Sequence, residues 1–255
     1  MQPSALVLGG HSFIAPLGND PRPDDALAAE IVAACLDAGI TWFDTTYQPE
    51  RVALGKALER LGRRREATIL AWNFFASFDG QEVVRGQEAY RAHHLEQMLT
   101  ELQTDHLDVL VVHPVEDPVE HARQEALAQH WKETGRVGRL GTWWPASTSP
   151  KSSYDLAIYP CNPTVDDTEE RFSHYKSLGW ETLGTSPFVR GWELEKRAER
   201  SGKPLSVVAD ELLRWAAFHP NVDRLIVSMR RPEWVAENLA SLARGPLSPE
   251  ERRRL

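Results

Sequence analysis

Cysteine, positive charge and long apolar runs are all scarce in this chain. The two cysteines among 255 residues, Cys35 and Cys161, give no disulfide framework, and neither sits in a CxxC or Cys/His spacing that would hold a metal. No apolar stretch approaches the ~20 residues of a membrane span, and the N-terminus lacks the basic-then-apolar order of a secretory signal. A cytoplasmic protein without membrane attachment is therefore expected. Lys and Arg number 29 against 37 Asp and Glu, a net charge of −8, which is the wrong sign for displacing counterions from nucleic acid. The basic run Arg252-Arg253-Arg254 is too short to reverse this and reads as a solvated tail. Gly9-Gly10-His11 lacks the GxGxxG spacing of a phosphate turn, which argues against an open, doubly wound nucleotide-binding sheet.

What is present is a strict alternation of two hydrophobic periods. Strand-like segments are Ala5–Gly10, Thr41–Thr46, Ala67–Trp72, Leu107–His113, Val137–Trp143, Leu156–Asn162, Glu181–Ser186 and Arg224–Met229. Between them lie helical patterns at Asp24–Gly39, Arg51–Leu61, Ala89–Gln103, Glu120–Thr134, Thr168–Leu178, Leu205–Phe218 and Pro232–Leu242. Alternating strands and helices imply parallel strands with right-handed crossovers, and eight strands close into a (β/α)8 TIM barrel. One barrel domain over residues 1–255 is expected. The connection after the fifth strand, WPASTSPKSSYD, is pared down, because a crossover with its helix needs at least ~10–12 residues.

Barrel enzymes place their chemistry at the C-terminal ends of the strands. Those ends carry His11; Asp44 and Tyr47; Trp72 and Asn73; His113, Glu116 and Asp117; Trp143 and Trp144; Tyr159, Cys161 and Asn162; Thr185, Ser186 and Arg190; and Ser228, Arg230 and Arg231. An acid, a phenol and two imidazoles on one mouth suit proton transfer at an oxygen. His11, Asp44, His113 and Glu116 are also metal-ligand types, but they come from separate strands with no local signature, and no metal is expected. The remaining histidines, His94 and His219 among them, fall on helices or loops and are expected at the surface.

Several segments in register resemble the aldo-keto reductases. DAGITWFDTTYQPERVALGKAL is similar to the segment that carries that family's catalytic Asp and Tyr, and LEQMLTELQTDHLDVLVVHP to the one ending in its catalytic His. GRVGRLGTWW, SLGWETLGTSPFVRG and LIVSMRRPEWVAENLASL are similar to its later strands, in order. The resemblance implies that Asp44, Tyr47 and His113 are catalytic: the phenol as general acid, the imidazole orienting a carbonyl oxygen, the carboxylate behind. Asp44 and Tyr47 stand two residues closer than the family's spacing; either two residues are deleted before Tyr47, or Pro49 takes its place and Tyr47 is an aromatic of the rim. The family's lysine is unmatched, its position being Trp72, or Asn73 if the register slips by one.

The resemblance also implies NADP(H) as cofactor, but the residues that would hold its nicotinamide read Trp143, Trp144 and Thr185, and Ser228 stands where a basic residue would meet the 2′-phosphate. Arg230 and Arg231, which could grip a phosphate, and Glu237 and Asn238, similar to adenine contacts, remain. His11, Trp72, Asn73, Glu116, Trp143 and Trp144 are the expected substrate contacts, the tryptophans making an aromatic floor for a ring-shaped ligand. The reading that follows is an enzyme acting on a small carbonyl or polyhydroxy compound by acid–base chemistry, with NADP(H)-dependent redox activity impaired. Its alternatives are an oxidoreductase that binds NADP(H) atypically and a non-catalytic ligand-binding or regulatory barrel.

Overall fold

The structure is a computed structural model that describes residues 2–3, 5–15, 21–75, 86–145, 154–189, 191–253 and 255. Eight parallel strands, β1 (Ala5–Leu8), β2 (Trp42–Thr45), β3 (Thr68–Trp72), β4 (Leu107–Val112), β5 (Val137–Trp143), β6 (Leu156–Pro160), β7 (Glu181–Thr185) and β8 (Arg224–Val227), follow one another around a closed barrel. Closure is direct: Ala5 to Leu8 of β1 pair with Arg224 to Val227 of β8. That pairing removes the open-sheet alternative.

The outer ring comprises α1 (Asp25–Asp37), α2 (Gln48–Leu61), α3 (His94–Leu102), α4 (Pro118–Glu133), α5 (Thr168–Ser177), α6 (Gly191–Ser201), α7 (Leu205–Ala217), α8 (Pro232–Ala243) and α9 (Pro249–Arg253). α1 starts where the Asp24 carboxylate accepts the backbone N–H groups of Ala26 and Leu27, and Asp117 caps α4 in the same way. Asp117 is thus a helix cap rather than a group at the mouth. Between β5 and β6, residues 146–153 lie outside the described residues, and no helix occurs among the described residues of that connection.

Two elements depart from the sequence reading. α6, GWELEKRAERS, has only Trp192, Leu194 and Ala198 as apolar residues, too few to mark a helix in the sequence. The basic tail at Arg252 and Arg253 belongs to α9, whose Glu251 bonds to the backbone N–H of Ser248 and pairs with Arg214; Arg254 lies outside the described residues. His94 and His219 are not surface residues either. Both are buried, His94 stacked on Phe75 at 3.8 Å and His219 against Phe172 at 5.5 Å. Burial lowers the pKa of both imidazoles, pushing His94 down to about 4 with His93 and nearby arginines adding to the fall, and each packs as a flat aromatic.

Strand period two sorts the side chains into two cores. Val7, Trp42, Leu70, Trp72, Val109, Val111, Leu156, Ile158, Leu183 and Ile226 fill the barrel, while Phe43, Ile69, Leu110, Val112 and Leu225 face the helices. The lower end is closed by Trp42, with the Arg224 guanidinium 3.9 Å above its ring and both Arg224 and Arg139 paired to Glu181 at 2.5 and 2.6 Å. The same alternation carries Asp44, Trp72, His113 and Trp143 to the upper end, each two residues or one strand end above the interior stack.

α2 and α3 pack closely because Gly55 has no side chain: a Cβ there would lie 2.6 Å from the carbonyl oxygen of Glu101 and 2.8 Å from the carbonyl carbon of Leu102. Backbone cannot yield as a flexible side chain can, so Gly55→Ala should destabilise the fold by roughly 1–3 kcal/mol. Urea denaturation checks this. An unchanged midpoint would show that the two helices can separate without cost.

Candidate active site

The mouth is organised by two buried carboxylates that arrive on β2 and α2. Asp44, at the inner end of β2, is 5% exposed. Its Oδ1 accepts the indole N–H of Trp72 at 2.5 Å. Burial pushes the Asp44 carboxyl up to about 7, the negative Glu50 adding to the rise, while the Trp72 N–H, the His11 imidazole and the Gly10 backbone N–H pull it down. Desolvation wins because one hydrogen bond to a charged group returns only about 1.5–3 kcal/mol, less than the cost of stripping a carboxylate of water. Glu50 is buried completely in the first turn of α2. Its Oε2 accepts the backbone N–H groups of Thr46 and Tyr47 at 2.6 and 3.1 Å, the position where a helix N-terminus favours an anion.

Tyr47 is the residue that leads into α2 and is 7% exposed. Its ring packs against His11 at 5.8 Å and edge-on against Phe74 at 5.3 Å. Phe74 in turn meets His113 edge-on at 5.4 Å, so the phenol and the imidazole touch the same ring from two sides. The His113 Nδ1 lies 2.9 Å from the Pro114 carbonyl oxygen. A carbonyl only accepts, so in the neutral ring Nδ1 carries the hydrogen and Nε2 the lone pair. Burial lowers the His113 pKa below the ordinary histidine value, against the pull of that carbonyl.

An aromatic floor completes the site. Trp143 stacks on His113 at 6.1 Å and meets Trp72 at 5.5 Å, and Trp144 bridges Trp143 to Tyr159. Trp144 is 47% exposed, with its backbone in the left-handed region at φ +46. The structure thus brings together Asp44, Tyr47, Trp72, His113, Trp143, Trp144 and His11.

Other expected residues stand elsewhere. Asn73 is completely buried behind the mouth: its amide donates to the carbonyls of Glu88 and His113, and its carbonyl accepts the His113 backbone N–H at 2.8 Å. It therefore holds the end of β4 in place, with Gln124 bonded to the same carbonyl, and does not face a substrate. Glu116 is exposed at the end of the β4–α4 connection, just before the Asp117 cap. Arg230 is buried, with its Nη2 bonded to the carbonyls of Ile14 and Ala15. Arg231 is exposed and lies over the Trp234 ring at 5.5 Å. Glu237 is exposed and Asn238 half-buried, both on α8.

The sequence reading missed Phe74, Glu50 and Arg51. Arg51 is completely buried, paired with Glu101 at 2.5 Å and bonded to the carbonyls of Thr46, Trp72 and Phe74. It ties the ends of β2 and β3 together. Glu50 had a detectable signal, a carboxylate three residues past a helix entry; Arg51 and Phe74 had none. Among the described residues no group of three or more His, Cys, Asp or Glu side chains is placed to hold a metal, and no helix is long and apolar enough to cross a membrane.

Comparison with known proteins shows the family of the chain. Residues 5–143 match the model of the aldo/keto reductase family, and the chain belongs to that family. It is 33% identical over 126 residues to the uncharacterized oxidoreductase YrpG of Bacillus subtilis, a match that spans 44% of this chain and only 37% of that protein. A second relative, described as a probable voltage-gated potassium channel subunit beta from Oryza sativa, is 22% identical over 282 residues, covering 88% of this chain and 84% of its own. The holo form of aldo-keto reductase AKR11C1 from Bacillus halodurans shares the fold, with a TM-score of 0.70 at 20% identity over 98% of this chain and 90% of its own.

Asp44 gives the site a signature in stability. An acid whose folded pKa lies above its unfolded value holds its proton more tightly when folded. Its contribution is present at low pH and lost as pH rises from about 4 toward 7. Asp44→Asn should therefore gain stability relative to wild type between pH 4 and pH 8, by on the order of a few kcal/mol. Chemical denaturation of both proteins across that range is the check. A difference that stays flat would mean that Asp44 titrates as an ordinary carboxyl.

Proposed function

We propose that the chain is an enzyme that moves protons on a small carbonyl or polyhydroxy compound at the barrel mouth. The observation that carries this reading is the bond from the Trp72 indole to Asp44. It puts a neutral donor where the family resemblance expects a lysine, and leaves Asp44 with a proton affinity near neutrality. Beside it stands His113, neutral and with its Nε2 lone pair available as a base. Groups whose surroundings set one as proton holder and the other as proton acceptor at the same pH divide the acid and base roles between them.

On this reading a carbonyl compound lies over Trp143 and Trp144. Tyr47 or the proton store behind it protonates the carbonyl oxygen. His113 Nε2 takes the proton from the neighbouring hydroxyl-bearing carbon, giving an enediol; return of a proton to the former carbonyl carbon, with loss of the proton of the other hydroxyl, leaves the carbonyl one carbon along. No oxidant is consumed.

The family's nicotinamide cofactor fits these residues poorly. Trp143 and Trp144 stand where its ring would be held, Trp72 supplies no cation, and the Arg230 Nη2 is bonded to backbone carbonyls. No step is therefore routed through it. Family membership and the name of the Bacillus subtilis relative favour a second reading, an oxidoreductase that binds NADP(H) atypically.

Two measurements separate the readings. In D2O, without nicotinamide, small hydroxycarbonyls such as dihydroxyacetone should lose their carbon-bound hydrogens faster than in the buffer blank. His113→Ala should slow this by roughly 100-fold or more. NADPH should leave the tryptophan fluorescence unchanged at micromolar concentrations. No exchange together with micromolar NADPH binding would overturn the proposal in favour of the oxidoreductase; neither result would leave a ligand-binding barrel.

A further inference from the structure

Glu50 poses a problem of charge. A buried carboxylate is costly unless it is paired and its lone pairs are occupied, and a second acid, Asp44, lies close enough to be repelled by it. The helix N–H groups satisfy Oε2. Oε1 has no hydrogen-bond donor aligned with it among the described residues, but His11 Nδ1 lies 3.2 Å away, within ion-pair range. Room for this approach comes from Gly10: a Cβ there would run into the Glu50 carboxylate and lie 2.8 Å from the Asp44 carbonyl oxygen. The 3-10 turn Gly10–Phe13 thus sets His11 directly over the two acids.

His11 is also the member of this cluster that reaches the mouth. Its side chain is 28% exposed whereas that of Glu50 is sealed, and its ring packs against Tyr47 at 5.8 Å. With Nδ1 turned to the carboxylate, Nε2 lies on the opposite side of the ring. Among the described residues, the charged and titratable groups around it include Glu50 and Tyr47 from the start of α2, Asp44 from β2, and Arg230, which bonds to the carbonyls of Ile14 and Ala15 just beyond the turn. A carboxylate 3.2 Å from Nδ1 favours the protonated form of the imidazole.

We propose that His11 is a catalytic residue of the site, an imidazolium that gives its proton to the substrate oxygen and regains it from solvent, with Glu50 as its positioning residue. This rests on the acid–base reading above and deepens it. The lysine's place next to Asp44 is taken by an indole, and the site's cation comes instead from the first barrel loop. The proton is balanced: His11 passes it to the oxygen while His113 accepts one from carbon, and both exchange with water before the next turnover.

Glu50→Gln and His11→Gln test the proposal. Glutamine still accepts the two backbone N–H groups, so Glu50→Gln keeps the helix entry and removes only the charge. By NMR of the imidazole ring, the His11 titration midpoint should fall by about one pH unit in Glu50→Gln. His11→Gln should slow the D2O exchange by roughly 100-fold and remove one limb of its pH profile. An unmoved midpoint would overturn the pairing. A moved midpoint with wild-type exchange in His11→Gln would overturn the catalytic role yet leave the acid–base function standing, with His113→Ala still slow. An inert wild type would sink both, and is recognised by its having no exchange to lose.

Discussion

The mouth of this barrel depends on one buried hydrogen bond, from the Trp72 indole to the Asp44 carboxylate. A lysine in that place would bring a full positive charge to balance the acid; an indole brings only a dipole. The difference decides the state of Asp44. With only a neutral donor bonded to it, the cost of desolvation is larger than the hydrogen bond returns, and the carboxyl keeps its proton toward neutral pH. Trp72 itself is fixed by being both a member of the barrel's interior stack and a donor to Asp44, so neither residue can move without disturbing the other.

The rest of the site is arranged around that pair. Trp143, Phe74 and His113 pack on one another and touch Trp72 on its open side, which makes a rigid wall rather than a set of mobile side chains. Behind the wall, backbone carbonyls at the strand ends are held by buried side chains: Arg51 takes those of Thr46, Trp72 and Phe74, and Asn73 and Gln124 share that of His113. Sites held by such networks keep their geometry while loops around them vary. On the other flank, the first barrel loop brings His11 Nδ1 to within 3.2 Å of Glu50.

The barrel was legible because strands buried on both faces leave apolar runs that cannot be mistaken for surface, LDVLVVH above all. The strand ends then pointed to Asp44 and His113, and in the structure each stands two residues past an interior side chain. What escaped notice were residues whose role lies in the partner rather than the pattern. An arginine such as Arg51 reads as a solvated helix residue until three carbonyls converge on it, and Asn73 reads as a mouth residue until its amide is seen on the backbone of β4. α6 was hidden because so few of its residues are apolar, and His94 and His219 because neutral imidazoles pack like phenyl rings.

The most direct test of this account is a carbon-13 titration of the Asp44 carboxyl, followed together with the nitrogen-15 and proton shifts of the Trp72 indole. The account expects the carboxyl to titrate near 7 and the indole N–H to move over the same pH interval, because its acceptor loses a charge there. A carboxyl that titrates in the ordinary range near 4, or an indole that does not respond while the carboxyl titrates, would contradict it.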